Sequence, residues 1–372
     1  MNNAVFLHIV ERLEGFLGKL PSSMQKPILH ELTPLKELFL QQRAPRFVFL
    51  GSHPMPLLEF VARIFVAHGA PSPETLTGLF RWQTVTISHH GAIEMLDARG
   101  ADEAALALVR EELRAQPADI FFFLAAERDA KIATRKELER LEKLLAWSDE
   151  IGAPAKLIAL HTDETKSENA ALTSSLADSP AIRARLIGDY SLGAELCRIL
   201  ARELPNEARI EMIRIGGDRG ARTEVAEMLV KSTSAICTAV GAQPIPLADM
   251  PILTTLQLVM VSGIMYLSGR ERSMRAAAEF TGALGANVGI GMVLREGARS
   301  ALKFFPGWGN VICGMVAGAG TYGIGRAAIV YFIEGASLGD ARRTFLQSKK
   351  RLSLPMKKKK VVRANRTKAI EE

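Results

Sequence analysis

The chain has 372 residues, 48% of them hydrophobic, with a mean hydropathy of +0.10, so two or three domains with a sizeable core are expected and a membrane role stays open. The net charge of +7 excludes a uniformly basic folded surface: from Lys349 onward ten Lys or Arg stand against Glu371 and Glu372, giving that stretch +8 and residues 1–348 a balance of −1. Cys197, Cys237 and Cys313 lie far apart without CxxC or metal-ligand spacing, which argues against a thiol-held metal and reads as buried thiols in a reducing compartment.

Residues 4–42 read as two helices broken near Pro21. The first is expected to be an amphipathic helix through Phe6, Ile9, Val10, Leu13, Phe16 and Leu17 rather than a signal peptide, since Glu11 and Glu14 interrupt its apolar residues. The pattern then alternates. Apolar runs at 46–50 (RFVFL), 119–126 (DIFFFLAA) and 156–161 (KLIALH) suit buried parallel strands. Residues 83–88 and 93–97 suit a hairpin around His89, His90 and Gly91, and RIEMIRIGG at 209–217 reads as the last strand. Helical periodicity fills 57–65, 101–116, 134–152 and 193–205. Such alternation predicts a three-layer α/β domain with a mostly parallel sheet and one antiparallel strand from the hairpin.

Beyond Arg222 no strand pattern remains, and helices are predicted at 222–241, 250–269, 273–294, 296–304 and 309–334. Asp249 caps the second of these, with Pro251 in its first turn, where a missing N–H costs little. The expected organisation is N-terminal helices over 1–42, an α/β domain over 43–221, an all-α domain over 222–345 and a basic disordered tail over 346–372.

Open α/β sheets bind ligands beyond the carboxyl ends of their strands. The first such end reads GSHPMPLLE, residues 51–59. Against the phosphate-loop pattern G-x-x-x-x-G-K-[ST], Gly51 holds the first position, but Pro56, Leu57 and Leu58 replace glycine, lysine and hydroxyl. Pro54 and Pro56 have no N–H for a phosphate, Leu57 cannot neutralise one, and Leu58 cannot ligate Mg²⁺. Asp97-Ala-Arg-Gly100 matches D-x-x-G, the element that contacts Mg²⁺ and the γ-phosphate in GTPases; Asp97 also reads simply as a turn or N-cap residue. After KLIALH, the guanine-reading N-K-x-D is reduced to Asp163 or Glu164, behind His161 and Thr162. His53 and His161 fall at the same end but are too few to predict a metal site, and no catalytic constellation stands out.

DARG at 97–100 is similar to the D-T-R-G of Era-like or dynamin-like GTPase domains. GAQPIPLADMPILTTLQLVMV at 241–261 resembles the Pro-x-Pro-x-x-Asp start of a Leu/Gln-rich helix in the YcjF-like helical domain that follows such GTPases. KFFPGWGNVICGMVAGAGTYGIGRAAIVYF at 303–332 resembles that domain's Gly-Thr-Tyr-x-x-Gly-Arg-Ala segment. The resemblance spans about residues 40–345 and implies a P-loop GTPase-like fold and nucleotide binding at the bacterial inner membrane. With the departures at Pro56, Leu57, Leu58, His161 and Thr162, the expectation is a pseudo-GTPase acting as a scaffold, without cofactor or metal. The alternative is an atypical NTP-binding protein that uses GTP and Mg²⁺ through Gly51, Asp97, Gly100 and Asp163.

Uncharged stretches at 250–269 and 304–325 are each long enough to span a bilayer, although the first has ordinary amphipathic spacing and the second a Gly314-x-x-x-Gly318 pattern equally at home in a tight soluble bundle. Lys357, Lys358, Lys359 and Lys360 are expected to contact an anionic leaflet, at ~1 kcal/mol per charge. The expected location is thus the cytoplasmic face of the inner membrane. The further expected partners are an unidentified protein, nucleic acid through the tail only, or a second copy of the chain.

Overall fold

The computed structural model describes residues 25–26, 29, 42–51, 56–65, 80–87, 91–124, 135–161, 176–242, 249–285 and 309–352. The helices expected over 4–42 lie almost wholly outside these residues, as do the helix at 296–304, His53, His89, His90, Pro54, Asp163 and Lys357–Lys360.

In chain order the elements are β1 (Arg46–Gly51), α1 (Leu57–Phe65), β2 (Trp82–Ile87), β3 (Gly91–Asp97), α2 (Glu103–Ala115), β4 (Ile120–Leu124), α3 (Arg135–Glu150), β5 (Lys156–His161), α4 (Pro180–Arg183), β6 (Leu186–Ser191), α5 (Ala194–Glu203) and α6 (Asn206–Gly216). Then come α7 (Arg219–Gly241), α8 (Asp249–Leu267), α9 (Met274–Gly285), α10 (Gly309–Ala328) with a π-helical turn at Ile329–Ile333, and α11 (Leu338–Leu352).

The strands form one sheet in the order β2-β3-β1-β4-β5-β6, with β2 antiparallel to β3 and the other pairings parallel. The mostly parallel α/β sheet and the antiparallel hairpin strand are as expected. All five residues of β4 are buried, because helices cover both faces. Val48, Leu50, Phe121 and Phe123 share one core with Val109 of α2 and Leu144 of α3. On the other face Phe49 packs on Phe60 of α1 and on Phe122, with ring centroids 4.8 and 5.2 Å away.

Two elements differ from the sequence reading. RIEMIRIGG is not a strand; it forms most of α6, which ends at Gly217 in the left-handed conformation (φ 66). This helix packs on β3 on one side and on α7 and α8 on the other. Ala208, Ile210, Met212, Ile213 and Ile215 are all buried, so its apolar residues follow no single-face period. The sixth strand is LIGDYS, an edge strand whose residues are all partly exposed. Gly188 and Asp189 are poor strand formers and hide it in the sequence.

The helical C-terminal region is present, and one hydrophobic cluster runs from Phe122 through Ile213 of α6 to Val230, Met260, Ile264 and Ala328. The expected division at 221/222 falls inside α7, and α11 continues to Leu352, past the expected start of the tail at 346. The helix expected at 273–294 is described only to Gly285.

Glycines decide the closest approach in this bundle. A Cβ at Gly314 would lie 2.5 Å from the Thr238 carbonyl oxygen, and one at Gly318 would lie 1.8 Å from Thr238 Oγ1. Thr321 is fully buried one turn further along and accepts a hydrogen bond from Gln257 Nε2 at 2.9 Å, while donating to the Ala317 carbonyl. Cys197 and Cys237 are buried and Cys313 is exposed, which corrects the expectation of three buried thiols. Burial pushes the Cys197 thiol up to about 12 and the Cys237 thiol up to about 11.

A polar knot joins bundle to sheet. Arg214 of α6 donates to the Tyr266 hydroxyl at 2.6 Å, and that hydroxyl reaches Glu211 at 3.3 Å. Glu211 in turn accepts from the Ala92 amide of β3 at 3.2 Å. The guanidiniums of Arg214 and Arg272 both stack on the Tyr266 ring. Burial first, then the Glu211 charge, hold the Tyr266 hydroxyl above its ordinary pKa. Tyr266→Phe keeps the stacking and loses the hydroxyl bonds, so the urea midpoint should fall by the equivalent of about 1–2 kcal/mol.

Candidate functional site

The carboxyl ends of β1, β3, β4 and β5 lie at one end of the sheet. The register pairs Phe49 with Asp97 and Gly51 with Leu124, so Gly51 and the Asp97 turn are neighbours. His161 closes β5 three strands from Asp97, about 14 Å away at the usual strand spacing; its side chain and residues 162–175 lie outside the described residues.

Gly51 is required here by the chain itself. Its φ is +102, and an added Cβ would sit 2.0 Å from the carbonyl oxygen of Leu124 on β4. Five residues on, Pro56 precedes the first turn of α1, and its carbonyl accepts from the amides of Glu59 and Phe60 at 3.0 and 3.2 Å. Leu57, in the place a phosphate-binding lysine would hold, is 7% exposed and belongs to the core with Phe60 and Val61. An apolar side chain turned inward supplies no cation at this position of the helix start.

Asp97 has found an internal partner. Arg99 Nε donates to Oδ1 at 2.9 Å and Arg99 Nη2 to Oδ2 at 2.7 Å, while the Arg99 amide adds a bond to Oδ1 at 3.1 Å. The two side chains are only 14% and 16% exposed. Fork-to-fork pairing of this kind is strong and directional. Gly100 follows at φ +69 with open space around it, and the N-cap of α2 is Asp102, which accepts from the Ala105 amide at 2.8 Å. Asp97 is therefore a turn residue clamped by its own loop. Arg99 was not singled out from the sequence, although the Asp-x-Arg spacing carries the signal.

These groups do not fit Mg²⁺ with a nucleotide. Magnesium takes oxygen ligands in near-octahedral geometry, and both Asp97 oxygens are engaged by a guanidinium. The lysine's place is filled by Leu57 and the hydroxyl's by Leu58. Among the described residues, no group of three His, Cys, Asp or Glu side chains converges as metal ligands would.

Compared with known proteins, the chain matches no family model. Over 139 residues it is 30% identical to magnetosome membrane protein 22 of Magnetospirillum gryphiswaldense, a match that covers 34% of this chain and 70% of that protein. The segment of this chain thus accounts for most of the relative's length, and the chain belongs to the family of magnetosome membrane protein 22.

Proposed function

We propose that the protein is a non-catalytic, membrane-associated scaffold or partner-binding module, built on a GTPase-like sheet whose phosphate loop has been lost. The observation that carries this reading is Leu57, packed into the core where a phosphate-binding lysine would have to reach out. The order β2-β3-β1-β4-β5-β6 with one antiparallel strand supports a GTPase-like ancestry, as does the neighbouring position of Gly51 and Asp97. Calorimetric titration with GTP and GDP, with and without Mg²⁺, should give no binding heat at millimolar nucleotide. Micromolar binding abolished by Asp97→Ala would instead establish the alternative, an atypical Mg²⁺-dependent nucleotide-binding protein; Gly100, set beside Asp97 in the open left-handed turn, is the observation that favours it.

The membrane half of the reading draws on the relative's name and on one helical stretch. Cys313–Ile333 has 21 residues of mean hydropathy 1.2, long and apolar enough to cross a bilayer, with under half of it buried. The other long uncharged stretch forms α8, Asp249–Leu267, within which Leu253–Leu267 is a shorter apolar helix. We therefore assign contact with the cytoplasmic face of the inner membrane, through α10 and the lysines 357–360.

The full chain should float with phosphatidylglycerol vesicles at low salt and dissociate in part at 0.5 M salt, where screening over ~4 Å removes the tail's share. A chain that stays at the bottom of the gradient at low salt sinks the membrane reading. Cys313 supplies a second probe. In solution a maleimide should modify one thiol per chain, at exposed Cys313, while buried Cys197 and Cys237 stay unmodified. Vesicles should slow that reaction; an unchanged rate would remove α10 from the contact.

A further inference from the structure

The opposite end of the sheet, where no ligand is expected from the strand polarity, holds a cavity of about 650 Å³. That volume lies within the usual range for small-molecule sites. Arg46 opens β1 at its rim, Lys156 opens β5, and Asp119 directly precedes β4. Pro117, Pro154 and Pro205 stand in its walls, each with a fixed φ that restricts the backbone there.

Five cationic side chains line it against three carboxylates, in a chain whose first 348 residues balance at −1. The internal pairings show what is already used. Arg43 grips both oxygens of Asp119 at 2.7 and 2.6 Å, and the Glu207 charge acts on the same guanidinium. Lys156 bonds Glu203 at 2.9 Å and its carbonyl at 2.7 Å, and Arg46 Nε bonds Glu94 at 2.6 Å. Arg209 Nη2 caps the end of α5 through the Arg202 and Leu204 carbonyls, the usual task of a cation at a helix C-terminus. Its Nε is shut from solvent with no protein acceptor, and exposed Arg202 has no carboxylate partner among the described residues. Among the described residues, Arg202 is therefore the one lining guanidinium left wholly unengaged after the protein's own carboxylates and helix end are served, while Arg209 keeps only an Nε without an acceptor.

We propose that this cavity binds a phosphate-bearing anion, held by Arg202 with Arg46, Lys156 and Arg209 adding positive charge around it. Guanidiniums suit phosphate because their planar forks donate two parallel bonds. The described lining offers guanidinium, ammonium and carboxylate groups, which suit a sugar phosphate, a polyphosphate or a phospholipid headgroup. The site is independent of Asp97 and of the lost phosphate loop.

The test titrates inorganic pyrophosphate into the full chain, against sulfate at matched ionic strength, by calorimetry and thermal unfolding. Pyrophosphate should bind and raise the melting temperature. Arg202→Ala should weaken binding at least tenfold while leaving the melting temperature without ligand unchanged, since the side chain is exposed; Asp97→Ala and truncation after Leu352 should leave binding intact. Competition by phosphatidic acid vesicles, lost in Arg202→Ala, would identify a lipid headgroup as the source, and binding without such competition a free phosphate. Absence of pyrophosphate binding, or binding equal in Arg202→Ala, overturns the proposal; loss of binding only on tail truncation does the same.

Discussion

Alanine at position 51 should lower the stability of the protein by roughly 3–5 kcal/mol with no nucleotide present. An L-residue held at φ +102 costs about 1–3 kcal/mol in strain, and the new Cβ would lie 2.0 Å from the Leu124 carbonyl oxygen. That oxygen belongs to β4, buried at every position, so relief requires β1 and β4 to part. Overpacking of this kind adds about 1–3 kcal/mol or more. Urea unfolding followed by circular dichroism measures the loss. Gly100→Ala is the internal control: its φ of +69 carries strain, but nothing lies within 4 Å of an added Cβ. It should cost only about 1–2 kcal/mol. Equal losses at the two positions would show that the approach of β4 is not what holds Gly51. A phosphate-loop glycine kept only for its ligand would show the reverse pattern, intact folding and lost binding.

The second large effect is expected at Gly314. A leucine there would have its Cβ 2.5 Å from the Thr238 carbonyl oxygen and 2.8 Å from the Ala242 Cβ, with backbone on the far side. Separating α7 from α10 would expose Val230 and Ala328, which are 1% and 0% exposed. We expect a loss of about 3 kcal/mol or more, since neither contact is the flexible end of a long side chain. The same substitution distinguishes two uses of the Gly314-x-x-x-Gly318 pattern. Spent on α7 within one chain, it should change the denaturation midpoint and leave the sedimentation coefficient of the folded fraction unaltered. A loss of oligomers with unchanged unfolding would show that the pattern pairs two chains. Because the bundle shares its core with the sheet, both experiments call for the whole chain rather than an isolated helical fragment.

Much of the sheet was legible because its central strands are buried on both faces. Arg46–Leu50, Ile120–Leu124 and Lys156–His161 read as continuous apolar runs between polar breaks, which is what parallel pairing under two helical layers demands. The hairpin was legible from alternation, since β2 sits at an edge and turns only one side to the core. LIGDYS escaped because an edge strand needs neither signal strongly, and RIEMIRIGG misled because burial between two layers erases helical periodicity. The site was half legible. Leu57 in a lysine's place is a matter of residue identity, while Arg99 closing on Asp97 depends on a turn geometry that a two-residue spacing permits but does not impose.

The amino-acid order alone determined the alternation of strands and helices, the change to helices after the sheet, the chemistry missing after Gly51 and the concentration of positive charge at the end of the chain. These are local properties, set by residue type and by periods of two or 3.6. Only the tertiary structure decided that Gly51 answers to Leu124, that Gly314 and Gly318 answer to Thr238, that the bundle and one sheet face share a core, and that five cations meet three carboxylates at the amino ends of the strands. Each of these joins residues tens to hundreds of positions apart, and such proximity follows from how the layers close on one another rather than from any pattern along the chain.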